Sequence, residues 1–173
     1  LDILKLFNAM PGAVSQGVIW GIMAIGVYIT YKVLDVADLT VDGSIATGGA
    51  VAAMMIISGC NVYLALAAAF LAGMLAGLVT GLFHTFMGIP AILAGILTQL
   101  ALYSINLRIM ANKANTAVSA NNFDLIVSSR NVRVASLENP ILLLLLFTAV
   151  LIAALYWFFG TEYGCSMRAT GAN

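Results

Sequence analysis

The sequence predicts an all-α fold: a single, polytopic transmembrane helical bundle of about five spans, occupying residues 1–173. Three observations predict it. Residues 43–107 run for 65 positions without Asp, Glu, Lys or Arg, and the uncharged runs 6–31 and 139–161 flank that stretch. Hydrophobic residues make up 62% of the chain and charged residues 8%, with a mean hydropathy of +1.06, whereas soluble domains carry about 25% charged residues. The apolar residues run on continuously without strand alternation, and lipid cannot satisfy free backbone groups, so helices remain. A bilayer core about 30 Å thick takes roughly 20 helical residues to cross; the long uncharged stretch alone holds about three crossings.

The first span is placed at residues 12–31. Gly17 and Gly21 lie four apart on one of its faces. The second span, 44–58, is short and dense in small residues, among them Ser44, Thr47, Gly48 and Gly49. Such a helix is expected to pack inside the bundle, as a short span or a re-entrant segment. Asp42-Gly43-Ser44 precedes it, so Asp42 reads as its N-cap or as a group lining a path. The third span, 62–87, carries Gly73, Gly77 and Gly81 at spacing four. Spacing four lets helix backbones approach closely, so these glycines are assigned to helix packing, within the chain or between subunits. Gly59-Cys60-Asn61 separates spans two and three.

The fourth span, 91–109, opens after Ile89-Pro90. Proline lacks an amide donor and suits a first helical turn. Pro140 opens the fifth span, 140–159, in the same way. Between them lies a polar loop, 110–139, with Lys113, Asp124, Arg130, Arg133 and Glu138. Loops of this length are often functional. By this count Cys60 and Cys165 lie three crossings apart, on opposite faces, which argues against a disulfide. Nothing at the N-terminus reads as a cleavable signal peptide.

Chemistry is excluded class by class. A phosphate-binding loop needs Gly-Lys, and none of Lys5, Lys32 and Lys113 follows glycine. ATP hydrolysis is therefore expected in a separate subunit. His84 is the only histidine, so no His-rich metal site can form; it reads as a helix-end residue. A Ser58–His84 pair would sit at opposite ends of the third span. No catalytic residue, metal ligand or cofactor is assigned. The net charge of zero gives no basic surface for nucleic acid. Essentially no ionisable residue falls within the predicted spans, Arg108 and His84 standing near span ends, which counts against an ion-coupled carrier.

Three blocks carry a resemblance. Asp38-Leu-Thr-Val-Asp-Gly-Ser44, followed by Gly48-Gly49 and Ala52-Ala53, resembles the start of ABC-transporter permeases of the branched-chain amino acid type. More narrowly, it resembles the subfamily paired with amino-acid-like binding proteins, which includes tryptophan/tyrosine uptake systems. Ile89-Pro-Ala-Ile-Leu-Ala-Gly-Ile-Leu-Thr98 with Leu102-Tyr-Ser-Ile-Asn-Leu-Arg-Ile-Met110 is similar to a second block. Arg168-Ala-Thr-Gly-Ala-Asn173 is similar to a third, which opens the family's cytoplasmic coupling segment, here 161–173.

The resemblance implies a permease subunit of a bacterial ABC importer in the plasma (inner) membrane, passing a small solute, an amino acid or related compound. It implies an ATPase subunit, an extracytoplasmic solute-binding protein and a second permease subunit as partners, besides membrane lipid. The path is expected along Asp42, Ser44, Thr47, Gly48, Gly49, Thr98, Gln99 and Ser104. ATPase coupling is expected at Arg168, Thr170, Gly171 and Asn173. Family members continue through the coupling helix and several more spans, so this chain is expected to be the N-terminal part of a longer permease. The family orientation places the N-terminus and the 110–139 loop outside, although Lys and Arg usually gather on the cytoplasmic side. The alternatives are a secondary transporter without an ATPase and a sugar-type ABC permease; a membrane-embedded enzyme would need a catalytic pair that the chain does not offer.

Overall fold

The structure, a computed structural model, describes residues 3–116, 118 and 140–171. Among the described residues six α-helices follow one another: α1 (Ile3–Tyr28), α2 (Thr40–Ile57), α3 (Val62–Thr85), α4 (Ala91–Ile109), α5 (Pro140–Gly160) and α6 (Glu162–Gly171). A π-helical turn, Ile29–Val33, extends α1. Among the described residues, five helices are long and apolar enough to cross a membrane, α1 through α5, so the protein is multi-pass. Most of the 110–139 loop, with Asp124, Arg130, Arg133 and Glu138, lies outside the described residues, as does Asn173.

The helix boundaries follow local chemistry. Asn61 caps α3, its Oδ1 accepting from the Tyr63 amide at 3.0 Å. Gly59, with φ +81°, closes α2: its amide bonds to Ile56 O and that of Cys60 to Met55 O. That is the Schellman pattern, which needs a left-handed residue. α4 ends the same way, but with Ala111 at φ +54°. Pro90 caps α4 from outside the helix (φ −51°, ψ 138°) and does not occupy its first turn. His84 does hold a helix end, its Nδ1 bonding Ile89 O at 2.8 Å across the α3–α4 turn.

Two expectations about α2 change. It is 18 residues long, about 27 Å at 1.5 Å per residue, enough to cross. Asp42 sits inside its first turn and does not cap it. Asp38 holds that end instead, its Oδ1 accepting from the Thr40 amide at 2.8 Å.

α2 is central, as its small residues led us to expect. It packs most extensively on α3, then on α4, while α1 lies mainly along α5. The buried residues of this three-helix core are small: Ala50, Ala65, Ala76 and Ala94, with Thr40, Thr47, Thr80 and Thr98, and Leu102 as the large exception. Lipid is as apolar as leucine, so helices associate here through close backbone approach rather than burial of bulk. The large apolar side chains point outward, as lipid requires. Exposed Tyr28, Tyr31, Tyr156, Trp157 and Tyr163 gather near the ends of α1 and α5, where amphipathic rings suit the interface.

Within the described chain the glycine stripe is not the packing face of α3. A β-carbon at Gly73, Gly77 or Gly81 would meet nothing within 4 Å among the described residues, and the same holds for Gly17 and Gly21. α3 instead turns its alanine row, Ala65, Ala69, Ala72 and Ala76 with Thr80, toward α2 and α4. One residue of offset, about 100° around a helix, separates the two rows. The glycines under tight contact are elsewhere, at Gly43, Gly48, Gly95, Gly164 and Gly171.

Candidate functional site

The entry into α2 defines the site. After the π-helical turn, Asp35 takes φ 53°, a left-handed conformation that Asp tolerates better than most residues. The chain then runs through Leu39 and begins α2 well inside the bundle. Thr40 and Thr80 share a buried hydroxyl–hydroxyl bond at 2.8 Å, and Thr80 stands five residues before the end of α3. Leu39 lies against Gly95, four residues into α4; a β-carbon at Gly95 would sit 2.8 Å from the Leu39 amide nitrogen. Gly43 lies against the Gln99 backbone, its β-carbon position 3.4 Å from Gln99 Cα.

These contacts set a depth. Gln99 is eight residues into the 19-residue α4, about 12 Å along it. Asp42, beside Gly43, therefore stands level with the middle of a membrane-spanning helix. Its carboxylate Oδ2 accepts from Gln99 Nε2 at 3.2 Å. The expectation that no ionisable residue enters the membrane region is corrected here. Span boundaries read from sequence place Asp42 at a helix mouth, but the mouth of α2 is recessed.

Two cavities flank the α2–α4 contact. One, about 310 Å³, is lined by Asp42, Ile96, Gln99, Leu100, Tyr103 and Asn106, among others. Asn106 Oδ1 is buried without a hydrogen-bond partner. The other, about 350 Å³, is apolar and lies between α2, α3 and α4, with Thr47 and Thr98 in its wall. Both threonine hydroxyls donate to carbonyls of their own helices, Gly43 O and Ala94 O, so neither offers a free donor.

The proposed path residues thus divide. Asp42 and Gln99 meet in the polar cavity, and Thr47 and Thr98 line the apolar one. Ser44, Gly48, Gly49 and Ser104 line neither. Ser44 bonds back to Val41 O, and Gly48 is packed against Ala69 of α3. Asn106, Tyr103, Thr40, Thr80 and Gly95 were not singled out from sequence. The signal for two of them was present: Gln99, Tyr103 and Asn106 follow at spacings of four and three, one helical face.

At the opposite end of the chain, α6 folds back at a tight corner. A β-carbon at Gly164 would collide with Phe158 and Phe159 at the end of α5. Gly171 lies against the backbone of Val33 and Leu34, so α6 rests on the π-helical end of α1. Arg168 and Thr170 are exposed, Thr170 bonding Met167 O. Cys60 and Cys165 are both free and exposed. No group of three or more metal-ligating side chains converges among the described residues.

Recessed helix mouths and a carboxylate at mid-helix depth are features of membrane transport proteins rather than of passive anchors. The family model described as "Branched-chain amino acid transport system / permease component" matches residues 10–173, and the chain belongs to that family. It is 38% identical over 167 residues to a "Tyrosine transport system permease protein" of Clostridioides difficile (strain R20291), covering 95% of this chain and 53% of that protein. It is 30% identical over 166 residues to an uncharacterized protein of Rickettsia prowazekii (strain Madrid E), covering 96% and 56%. The chain spans about half the length of these curated relatives. No solved structure matches it significantly. Family and helices together define a multi-pass protein of the bacterial plasma (inner) membrane.

Proposed function

We propose that this chain is a transmembrane permease subunit of a bacterial ABC importer and forms part of the path for an amino acid or a close relative of one. The observation that carries the reading is Asp42, held beside Gln99 at the depth of the middle of α4 and facing a cavity. An ionisable group at that depth marks a solute or ion path by default. Family membership and the name of the Clostridioides relative support the solute class.

In this reading the chain performs no covalent chemistry. ATP is hydrolysed by a separate ATPase subunit, a binding protein delivers the solute from outside, and a second permease subunit completes the path. α6 opens the face that meets the ATPase, with Arg168 and Thr170 exposed on it. Because Gly171 rests on Val33 and Leu34, a push on α6 reaches the end of α1 and, a few residues on, the recessed entry of α2. The end bearing α6 is then cytoplasmic, and the 110–139 loop lies outside.

The test is uptake of radiolabelled tyrosine in cells expressing the permease with its neighbouring ATPase and binding-protein genes, in a host lacking aromatic uptake. Uptake that needs all three components is expected. Uptake driven by an ion gradient without the ATPase would overturn the reading in favour of a secondary transporter. That rival gains from the same residue, since ion-coupled carriers use intramembrane carboxylates.

A further inference from the structure

The polar cavity has a one-sided chemistry. Among the described residues no Lys, Arg or His lines it. The Asp42 carboxylate receives one amide hydrogen bond and has no ion-pair partner among the described residues. Gln99 lines the same space and brings a second acceptor, Oε1, besides the amide that donates to Asp42. Two turns further along α4, Asn106 contributes an unpartnered buried oxygen. Asp42 is exposed to the cavity rather than buried, and a carboxylate at this depth answered by a single neutral donor is short of positive charge. Ile96, Leu100 and the ring of Tyr103 complete the wall with apolar surface. The space, about 310 Å³, falls within the size of small-molecule sites.

We propose that this cavity is a recognition station for the primary ammonium group of the solute, with Asp42 as its counter-ion, Gln99 as the group that orients Asp42, and Ile96, Leu100 and Tyr103 as the apolar bed for the side chain. The proposal rests on the permease reading for its solute and adds the group that is recognised and the place. It separates the solute's two charges: the ammonium is held here, and the carboxylate is not, since no cation among the described residues lines the cavity.

The experiment uses the protein in phosphatidylcholine nanodiscs and reads the melting temperature against probe concentration. Tyramine keeps the ammonium and lacks the carboxylate; 3-(4-hydroxyphenyl)propionate does the reverse. Tyramine should raise the melting temperature saturably, as a ligand of the folded state does, and the propionate should not. Asp42→Asn should weaken the tyramine response about ten- to hundredfold, the size of a lost charge-assisted contact. Asn106→Asp, which adds negative charge to the same cavity, should strengthen it. An equal response to both probes, no response to tyramine, or an undiminished response in Asp42→Asn overturns the proposal. The two-probe comparison on the unaltered protein decides the matter even if a variant fails to fold. A lipid ammonium is the other source of this chemistry: if phosphatidylethanolamine in the nanodisc abolishes the tyramine response, the station belongs to a headgroup and the solute assignment falls. Tyrosine uptake scores the permease reading separately. Tyramine binding without any uptake would sink that reading and leave the station, whereas ATPase-dependent uptake unaffected by Asp42→Asn would do the opposite.

Discussion

Gly95 of α4 and Leu39 at the mouth of α2 are in backbone contact, with room for a hydrogen and none for a methyl: a β-carbon on Gly95 would lie 2.8 Å from the Leu39 amide nitrogen and 3.3 Å from Asp38 Oδ1. That contact holds the recessed mouth of α2 at its depth. Asp38 is at once the group that accepts from Thr40 N and a wall against α4.

Replacing Gly95 with Ala should therefore force α4 away from α2. Overpacking of a well-fitted contact costs about 1–3 kcal/mol, and the opposing atoms here include backbone, which cannot swing aside. The melting temperature in detergent should fall, and Gly95→Leu should lower it further. Equal stability of Gly95→Ala and the unaltered protein would show that the mouth is not seated as described.

The Thr40–Thr80 bond ties α2 to α3 from the other side. Thr40→Val and Thr80→Val should each destabilise, with a coupling of about 0.6 kcal/mol and at most about 1.7, the range for hydrogen bonds between membrane helices. A double-mutant cycle measures the coupling. Strictly additive effects would mean that the hydroxyls do not bond.

Gly77→Leu offers a contrast. The glycine row of α3 faces open space within the described chain, so the substitution should leave the melting temperature of the monomer unchanged. A large loss would reveal a partner surface seated on that row, and crosslinking from Gly77→Cys would then identify it.

Ala111 occupies a left-handed position, φ 54°, at the end of α4. Ala111→Gly removes the side-chain clash, a penalty of roughly 1–2 kcal/mol, against an entropy cost of roughly 0.5–1 kcal/mol for glycine, and should stabilise by up to about 1 kcal/mol at a position glycine favours. A loss of stability in thermal melts would argue against the Schellman ending of α4.

Orientation can be read from the two native cysteines, both exposed; three crossings by α3, α4 and α5 between them would put them on opposite faces. In single-cysteine proteins, a membrane-impermeant maleimide applied to intact cells should label Cys60, whereas Cys165 should label only after permeabilisation. The reverse pattern would place α6 outside and remove the ATPase from that face.

By itself, the sequence determined the fold class, the number of spans and the limits of α4 and α5, whereas α1 begins nine residues and α2 four residues before the spans read for them. Those depend on local quantities: an unbroken apolar run must be helical in lipid, and Pro90, Pro140, Gly59 and Asn61 break or cap the chain wherever they occur. α4 falls at Ala91–Ile109 and α5 begins at Pro140, as read from those signals. The family was legible too, in motifs on the mouth of α2, the start and end of α4, and the segment beyond α5.

Depth and facing were decided only by tertiary structure. Helical spacing shows which residues share a face, but not which face a neighbour takes, so spacing alone could not tell that the alanine row of α3, one residue from the glycine row, meets α2 and α4. Asp42 was read as a cap of α2 or a path-lining group, without its depth, because chain order carries no information on where one helix begins relative to the middle of another. The Gly95–Leu39 and Thr40–Thr80 contacts supply it: both link residues 40 or more positions apart, and together they lower the start of α2 into the bundle. That displacement turns an ordinary helix-start aspartate into a carboxylate facing a cavity beside Gln99.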